Sequence, residues 1–457
     1  MSFLSPEPTR LGLVCLARLT FDADLAARWY AQAQAMLGAL DGVQLCAVEK
    51  LVIEPGDAAA AIAELRAANM DALIIVNGTF ALGGLAMSFA QAFNVPLLLW
   101  AWPEPQEQTG KLRLNSLVGL MVNASNLYKL GHRPATIYAG LDDPRCAAEI
   151  ARLAKVAGLL RDLRQVRIGL IGGHAPGFDN LAVDKLSLRR ALGVEVVDIS
   201  LPALVARARG VTAERVQAAQ REMLEPFADA AEVTAAQSAL YTALTIALRE
   251  LAAESRFDAL SLKCWGDLVE LYGISGCGAV AQLNNSSLVV GCEGDVLGAL
   301  TMLIAQRLCG TPAFLSDLVS VERESNTGLF WHIGCAPLCL ADPNQPRHLY
   351  AHFAGGKGLT AGFALKAGRV TILRLGDDGY NLRLLATTGR ALETAMDVRG
   401  TVSRVTFDGD VGAFLAEMLA NGWEHHLVLA YGEIVPELAM LSRALNVPLT
   451  ILKQGCS

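Results

Sequence analysis

The chain predicts an α/β protein with two doubly wound parallel-sheet domains followed by a smaller β-rich C-terminal domain. Strand-length apolar runs alternate with Ala-rich stretches of helical length through the first half, the pattern that βα units leave in sequence. Hydrophobic residues make up 53% of the 457, yet no run approaches the ~18 uninterrupted apolar residues of a membrane span. That excess is what strands buried on both faces require. After the Pro/Asn-rich break ADPNQPRH, Ala341 to His348, alternating segments are separated by Gly-rich turns, which favours antiparallel pairing.

Taken in order, an N-terminal α/β domain spans 1–162, with strands at LGLVCLA, VQLCAVE, DALIIVNG, VPLLLWAW and ATIYAG. Helices are predicted at Ala26–Leu40, Ala58–Ala68, Leu85–Phe93 and Ala147–Leu160. A central α/β domain, 163–345, restarts at VRIGLIGG and continues through VEVVDIS, helices at Ala213–Leu224 and Ala230–Ala253, and DALSLKCW. The third domain, 346–457, is β-rich and ends in an α/β segment: helix Val411–Ala420, strand HLVLAYG, helix Pro436–Leu445 and VPLTIL.

The formal charge of −7 argues against nucleic acid as a partner. No run is long enough to span a membrane and no membrane partner is expected, and the N-terminus MSFLSPEPTRLGLVCLAR lacks a secretory pattern. A cytoplasmic location is therefore expected. The ten cysteines are scattered and read as buried free thiols of a reducing compartment.

The chemistry concentrates between Val289 and Asp317. Glu293 and Asp317, 24 residues apart, each follow an apolar run, and the spacing fits strand, crossover helix, strand. Both side chains would then emerge at the carboxyl edge of neighbouring parallel strands, where open α/β sheets bind ligands. A carboxylate at the edge of a core needs a compensating partner, and two suggest a shared cation. The competing reading makes Glu293 a helix cap and Asp317 a solvated loop residue; Asp295 is the better cap, which leaves Glu293 free.

Among seven histidines, the pair His425 and His426 begins a strand, and His332 follows the acidic pair. Two carboxylates with one or two imidazoles suit manganese, magnesium or cobalt. A zinc cluster of His332, Cys335 and Cys339 lacks a fourth ligand at any usual spacing. IGGHAPGFDN and FAGGKGL match neither phosphate-binding fingerprint and read as tight corners, so an NAD-type cofactor is not expected.

The blocks CEGDVLGALTMLIAQRLCGTPAFLSD, GLFWHIGCAP and HHLVLAYGE resemble the L-fucose isomerase and L-arabinose isomerase superfamily, and the three-part layout resembles it too. The resemblance implies a divalent metal, commonly manganese, held by Glu293, Asp317 and His426, with His332 as the match for a further histidine of the arabinose branch. It implies an aldose–ketose isomerase acting on an open-chain sugar of the L-fucose or D-arabinose type through a cis-enediol, with Glu293 and Asp317 exchanging the proton. Lys263 and Trp265, ending the LKCW strand, are weaker candidates for sugar contact. The family's sites lie between subunits, which implies a homotrimer or homohexamer in which segments such as NGTFALGG complete a neighbour's site. The chain is shorter than fucose isomerases and lacks several of their pocket blocks, so the alternatives are an isomerase for a modified hexose such as sulfoquinovose, or a non-catalytic sugar-binding protein on the same scaffold. A metal lyase or epimerase is a third reading, since such a site also serves retro-aldol chemistry.

Overall fold

The computed structural model describes residues 7–106, 110–230, 232–286, 288–352 and 357–452. It divides into two compact units: one holds the residues up to Asp162 with Ala439–Val447, and the other runs from Leu163 to Leu438 and resumes at Pro448.

The first unit is built on a parallel five-stranded sheet. Its strands are β1 (Thr9–Leu16), β2 (Val43–Ala47), β3 (Ala72–Asn77), β4 (Leu97–Ala101) and β5 (Ala135–Tyr138), in the order β2-β1-β3-β4-β5. β3 and β4 are buried at every position, which is why they read as unbroken apolar runs. The helix Ser116–Lys129 was not legible in the sequence. It starts without a side-chain cap and exposes Leu117, Val118 and Met121, so no single apolar stripe marks it.

The second unit contains a four-stranded parallel sheet of β6 (Arg167–Ile171), β7 (Glu195–Ile199), β8 (Ala259–Leu262) and β9 (Val289–Cys292), ordered β7-β6-β8-β9. It also contains a nine-stranded mixed sheet: β10 (Phe314–Glu322), β11 (Thr327–His332), β12 (His348–Ala351), β13 (Leu359–Ala364), β14 (Gly368–Asp377), β15 (Leu382–Ala391), β16 (Thr401–Phe407), β17 (His426–Tyr431) and β18 (Leu449–Leu452). β16 pairs with β11 along one edge and with β15 along the other. The strands β16-β11-β10-β17-β14-β15 therefore close into a ring, which removes exposed edges from its core.

The α/β class with parallel sheets and a β-rich C-terminal part is borne out. The β-rich sheet is the largest of the three, with nine strands against five and four, and it begins at Phe314, ahead of the Pro/Asn-rich break. One placement is corrected. Asp317 does not sit at the carboxyl edge of a strand beside β9; it lies within β10, paired antiparallel with Trp331 on one side and His426 on the other.

The helix Val296–Cys309 packs against β8 and β9 of the parallel sheet and against β14 and β17 of the ring. It is buried almost all round, as a helix between two sheets must be. Its N-terminus thereby carries the end of β9 towards the middle of β10. Among the described residues no helix is long and apolar enough to cross a membrane.

Candidate active site

Glu293 occupies the turn between β9 and the helix Val296–Cys309. Its backbone is left-handed, with φ 62°, followed by Gly294 at φ 80°. A non-glycine residue in this region costs ~1–2 kcal/mol, and it is held there by its surroundings. Gly294 donates its N–H to the Leu262 carbonyl, and the Glu293 carbonyl accepts from Ala175. A Cβ on Gly294 would lie 2.3 Å from the Gly173 carbonyl oxygen. The loop IGGHAPGFDN is thus a packing shelf for the Glu293 turn, in keeping with its reading as a tight corner; Phe353–Gly356 of the second Gly-rich loop lie outside the described residues. Gly294→Ala is expected to destabilise the protein by a few kcal/mol, roughly the combined strain and overlap, and to lower turnover; a urea midpoint equal to that of the parent would contradict this.

The turn aims Glu293 into a group of imidazoles. Trp265 donates its indole N–H to Oε1 at 2.9 Å, while Oε2 lies 3.2 Å from His426 Nε2 and 3.8 Å from His425 Nε2. Burial disfavours the charged carboxylate, but the His425 and His426 rings that face it outweigh burial and hold the pKa well below the usual range. Asp317 Oδ1 lies 3.9 Å from His426 Nε2.

Asp295 caps the helix by accepting from the Gly298 N–H, as expected, and does two further things. Its Oδ2 accepts from His426 Nδ1 at 2.9 Å, and the Arg374 guanidinium grips it at 2.5 and 3.1 Å. Arg374 and His426 are both 0% exposed, so each would be costly without this carboxylate. Against burial, Arg374 and His426 hold the Asp295 pKa far below normal. With Nδ1–H committed to Asp295, His426 Nε2 is left facing Glu293 and Asp317, the carboxylate–histidine arrangement that orients an imidazole ligand.

His332, at the end of β11 and 2% exposed, is oriented the opposite way. The Ile333 backbone N–H donates to its Nδ1 at 2.9 Å, so the neutral ring carries its proton on Nε2. The ring centroids of His332 and His426 are 5.3 Å apart. His425 is wedged against Phe178 at 4.8 Å and takes a hydrogen bond from Asn180 on Nδ1.

The structure therefore brings together Glu293, Asp317, His332, His425 and His426. Ligand atoms of Glu293, His332 and His426 lie within 4.8 Å of one another, as do those of Asp317, His425 and His426. Asp317 Oδ1 and the Nε2 atoms of His332, His425 and His426 are buried without a hydrogen-bond partner. Orphaned polar atoms converging from three strands and a turn are the signature of a ligand site, and the mixed O/N donor set fits a divalent cation.

Of the weaker candidates, Lys263 is engaged with Asp267 at 2.6 Å, and Trp265 holds Glu293. In NGTFALGG, Asn77 and Thr79 bond within their own unit, to Trp100 and Asn123 and to Arg18. Arg374 was missed in the sequence, though an arginine inside the apolar run VTILRLG was the signal for a buried counterion.

Comparison with known proteins places the chain in a family. A family model described as the N-terminal domain of fucose/sulfoquinovose isomerase matches residues 12–164. A sulfoquinovose isomerase of Alkalicoccus urumqiensis is 30% identical over 438 residues, covering 95% of this chain and 97% of the relative. One from Priestia aryabhattai is 29% identical over 449 residues, with 96% and 98% covered. One from Clostridium sp. (strain MSTE9) is 30% identical over 380 residues, with 82% and 85% covered. These likenesses make the chain an aldose–ketose isomerase, an intramolecular oxidoreductase. Within that class it belongs to the fucose/sulfoquinovose isomerase family.

Proposed function

We propose that this enzyme interconverts sulfoquinovose and its 2-ketose with a divalent metal, working as a homotrimer or homohexamer. Relatives named for sulfoquinovose, matched over nearly their full length, favour this sugar over the L-fucose or D-arabinose type. The observation that carries the metal reading is the set of buried, unpartnered atoms on Asp317, His332, His425 and His426.

Glu293, Asp317 and His426 would hold the ion, with Mn2+ first and Mg2+ or Co2+ as alternatives. When bound it supplies positive charge where the enediolate builds negative charge on neighbouring sugar oxygens. The rest falls to the chain. Trp265 fixes Oε1 of Glu293, so Oε2 faces the reacting carbons. Glu293 and Asp317 are the pair that removes the proton from carbon 2 and returns it to carbon 1 through the cis-enediol. His332, with its proton on Nε2, acts as a hydrogen-bond donor to a sugar oxygen in preference to serving as a ligand. His426, steered by Asp295, acts as the imidazole ligand.

Two experiments separate these roles. Chelator-stripped protein is expected to lose turnover of sulfoquinovose and regain it with Mn2+; activity that survives stripping would sink the metal reading, and turnover of L-fucose alone would sink the sugar. His426→Gln removes a ligand outright and is expected to weaken metal binding by at least the roughly 100-fold that losing an outer-shell partner can cost. His332→Gln is expected to lower kcat by about 100-fold and leave metal affinity unchanged. Calorimetric metal titrations of the two variants decide it, and equal loss of affinity in both would make His332 a ligand.

A further inference from the structure

Beneath the site lies a group of thiols that the reaction does not use. Cys264, Cys277 and Cys292 are each 0% exposed and their sulfurs lie within 4.8 Å of one another. Cys264 Sγ and Cys292 Sγ are 2.8 Å apart, well inside the ~3.5–4.0 Å at which unbonded heavy atoms rest. Cys292 ends β9, where it pairs with Leu262 at the end of the neighbouring β8, and Cys264 follows two residues beyond that end. Each immediately precedes a residue of the site: Trp265 follows Cys264 and Glu293 follows Cys292. Those followers are themselves joined, indole to carboxylate, at 2.9 Å.

We propose that Cys264 and Cys292 are a modification site: a peroxide joins them in a reversible disulfide that displaces the Trp265–Glu293 pair and suppresses the isomerase. The effect on turnover rests on the function proposed above; the cross-link itself does not. Each sulfur gives up its hydrogen, the peroxide O–O bond breaks, and one S–S bond and two waters form, so the two electrons lost by sulfur reduce hydrogen peroxide. A dithiol reductant reverses the step.

Geometry favours a disulfide over a trapped soft cation here. The bond closes a gap that is already short, to about 2.05 Å, and leaves the pocket neutral. Three thiolates gathered round a divalent ion would leave a net buried charge. The contraction falls on the backbone positions that set Glu293, and a displacement of about 1 Å at a reacting group costs up to about 100-fold in rate. Burial makes the thiols slow to react, so a small uncharged oxidant in excess is required.

The test uses the full-length protein, treated with excess hydrogen peroxide, alkylated, digested without reduction and mapped by mass spectrometry. The expected result is a peptide pair linking Cys264 to Cys292, lighter by two hydrogens than the sum of its parts. With it comes a fall in turnover of at least about ten-fold that dithiothreitol restores. Cys264→Ala is expected to keep its turnover under the same treatment. Full alkylation of both thiols after oxidation, or a link from either to Cys277 instead, overturns the proposal. So does inactivation that persists in Cys264→Ala, or a cross-link that leaves turnover unchanged. The mapping is made on the parent protein and stands whether or not the variant folds. Should the reduced parent turn over no sugar, it is the functional reading that fails, and the peptide map still decides the cross-link.

Discussion

Glu293→Gln is expected to lower kcat by about 10²–10⁴-fold, the range for loss of a positioned acid–base group, while the protein stays folded. The substitution keeps the shape of the side chain, and the amide oxygen still accepts the Trp265 indole N–H that holds Oε1 at 2.9 Å. It removes the negative charge that faces His425 and His426 across 3.8 and 3.2 Å. Metal affinity is expected to fall with turnover, because the same oxygen serves both roles in the proposed site. Steady-state kinetics beside a circular-dichroism melt check this. A variant with parental kcat would remove Glu293 from the chemistry, and one that no longer folds would mean the left-handed turn depends on the carboxylate.

Asp295→Asn carries the largest expected effect on stability. Asp295 compensates the charge of Arg374, which is 0% exposed, and Glu424 is further off at 3.6 Å. Removing one member of a buried ion pair costs about 3–5 kcal/mol because the partner's charge is left behind. Loss of the anchor also frees the His426 ring, so metal affinity is expected to drop about 10–100-fold in whatever fraction stays folded. Urea unfolding read through the second unit should show a clearly lower midpoint. An unchanged midpoint would mean that Glu424 alone satisfies Arg374.

Parts of this network could be read from the sequence and parts could not. Glu293 was legible because an apolar run ends in an acid two positions before a better helix cap, and the structure gives Asp295 that cap. The parallel strands were legible because burial on both faces writes itself as unbroken apolar runs. Asp317 was placed on the wrong kind of strand. FLSD reads like a strand ending in an acid, but β10 continues through LVSVE as it leaves the core, and only the pairing with β11 and β17 shows that it is antiparallel.

The roles of Trp265 and Arg374 depend on partners 28 and 79 residues away, which no local periodicity encodes. The opposite tautomers of His332 and His426 are likewise set by a backbone amide and a distant carboxylate. Residue type alone makes the two histidines equivalent; their neighbours make one a donor towards the site and the other an acceptor.

The proposed reaction is proton exchange between two sugar carbons at a metal site built from Glu293, Asp317 and His426. The most direct measurement incubates sulfoquinovose in deuterated water with stripped protein to which Mn2+ has been restored. The ion and the protein are removed before proton NMR, and a stripped control is run alongside. The predicted result is a 2-ketose carrying deuterium at carbon 1, formed only where the metal was restored. Unchanged sulfoquinovose in the presence of demonstrably bound metal would contradict it.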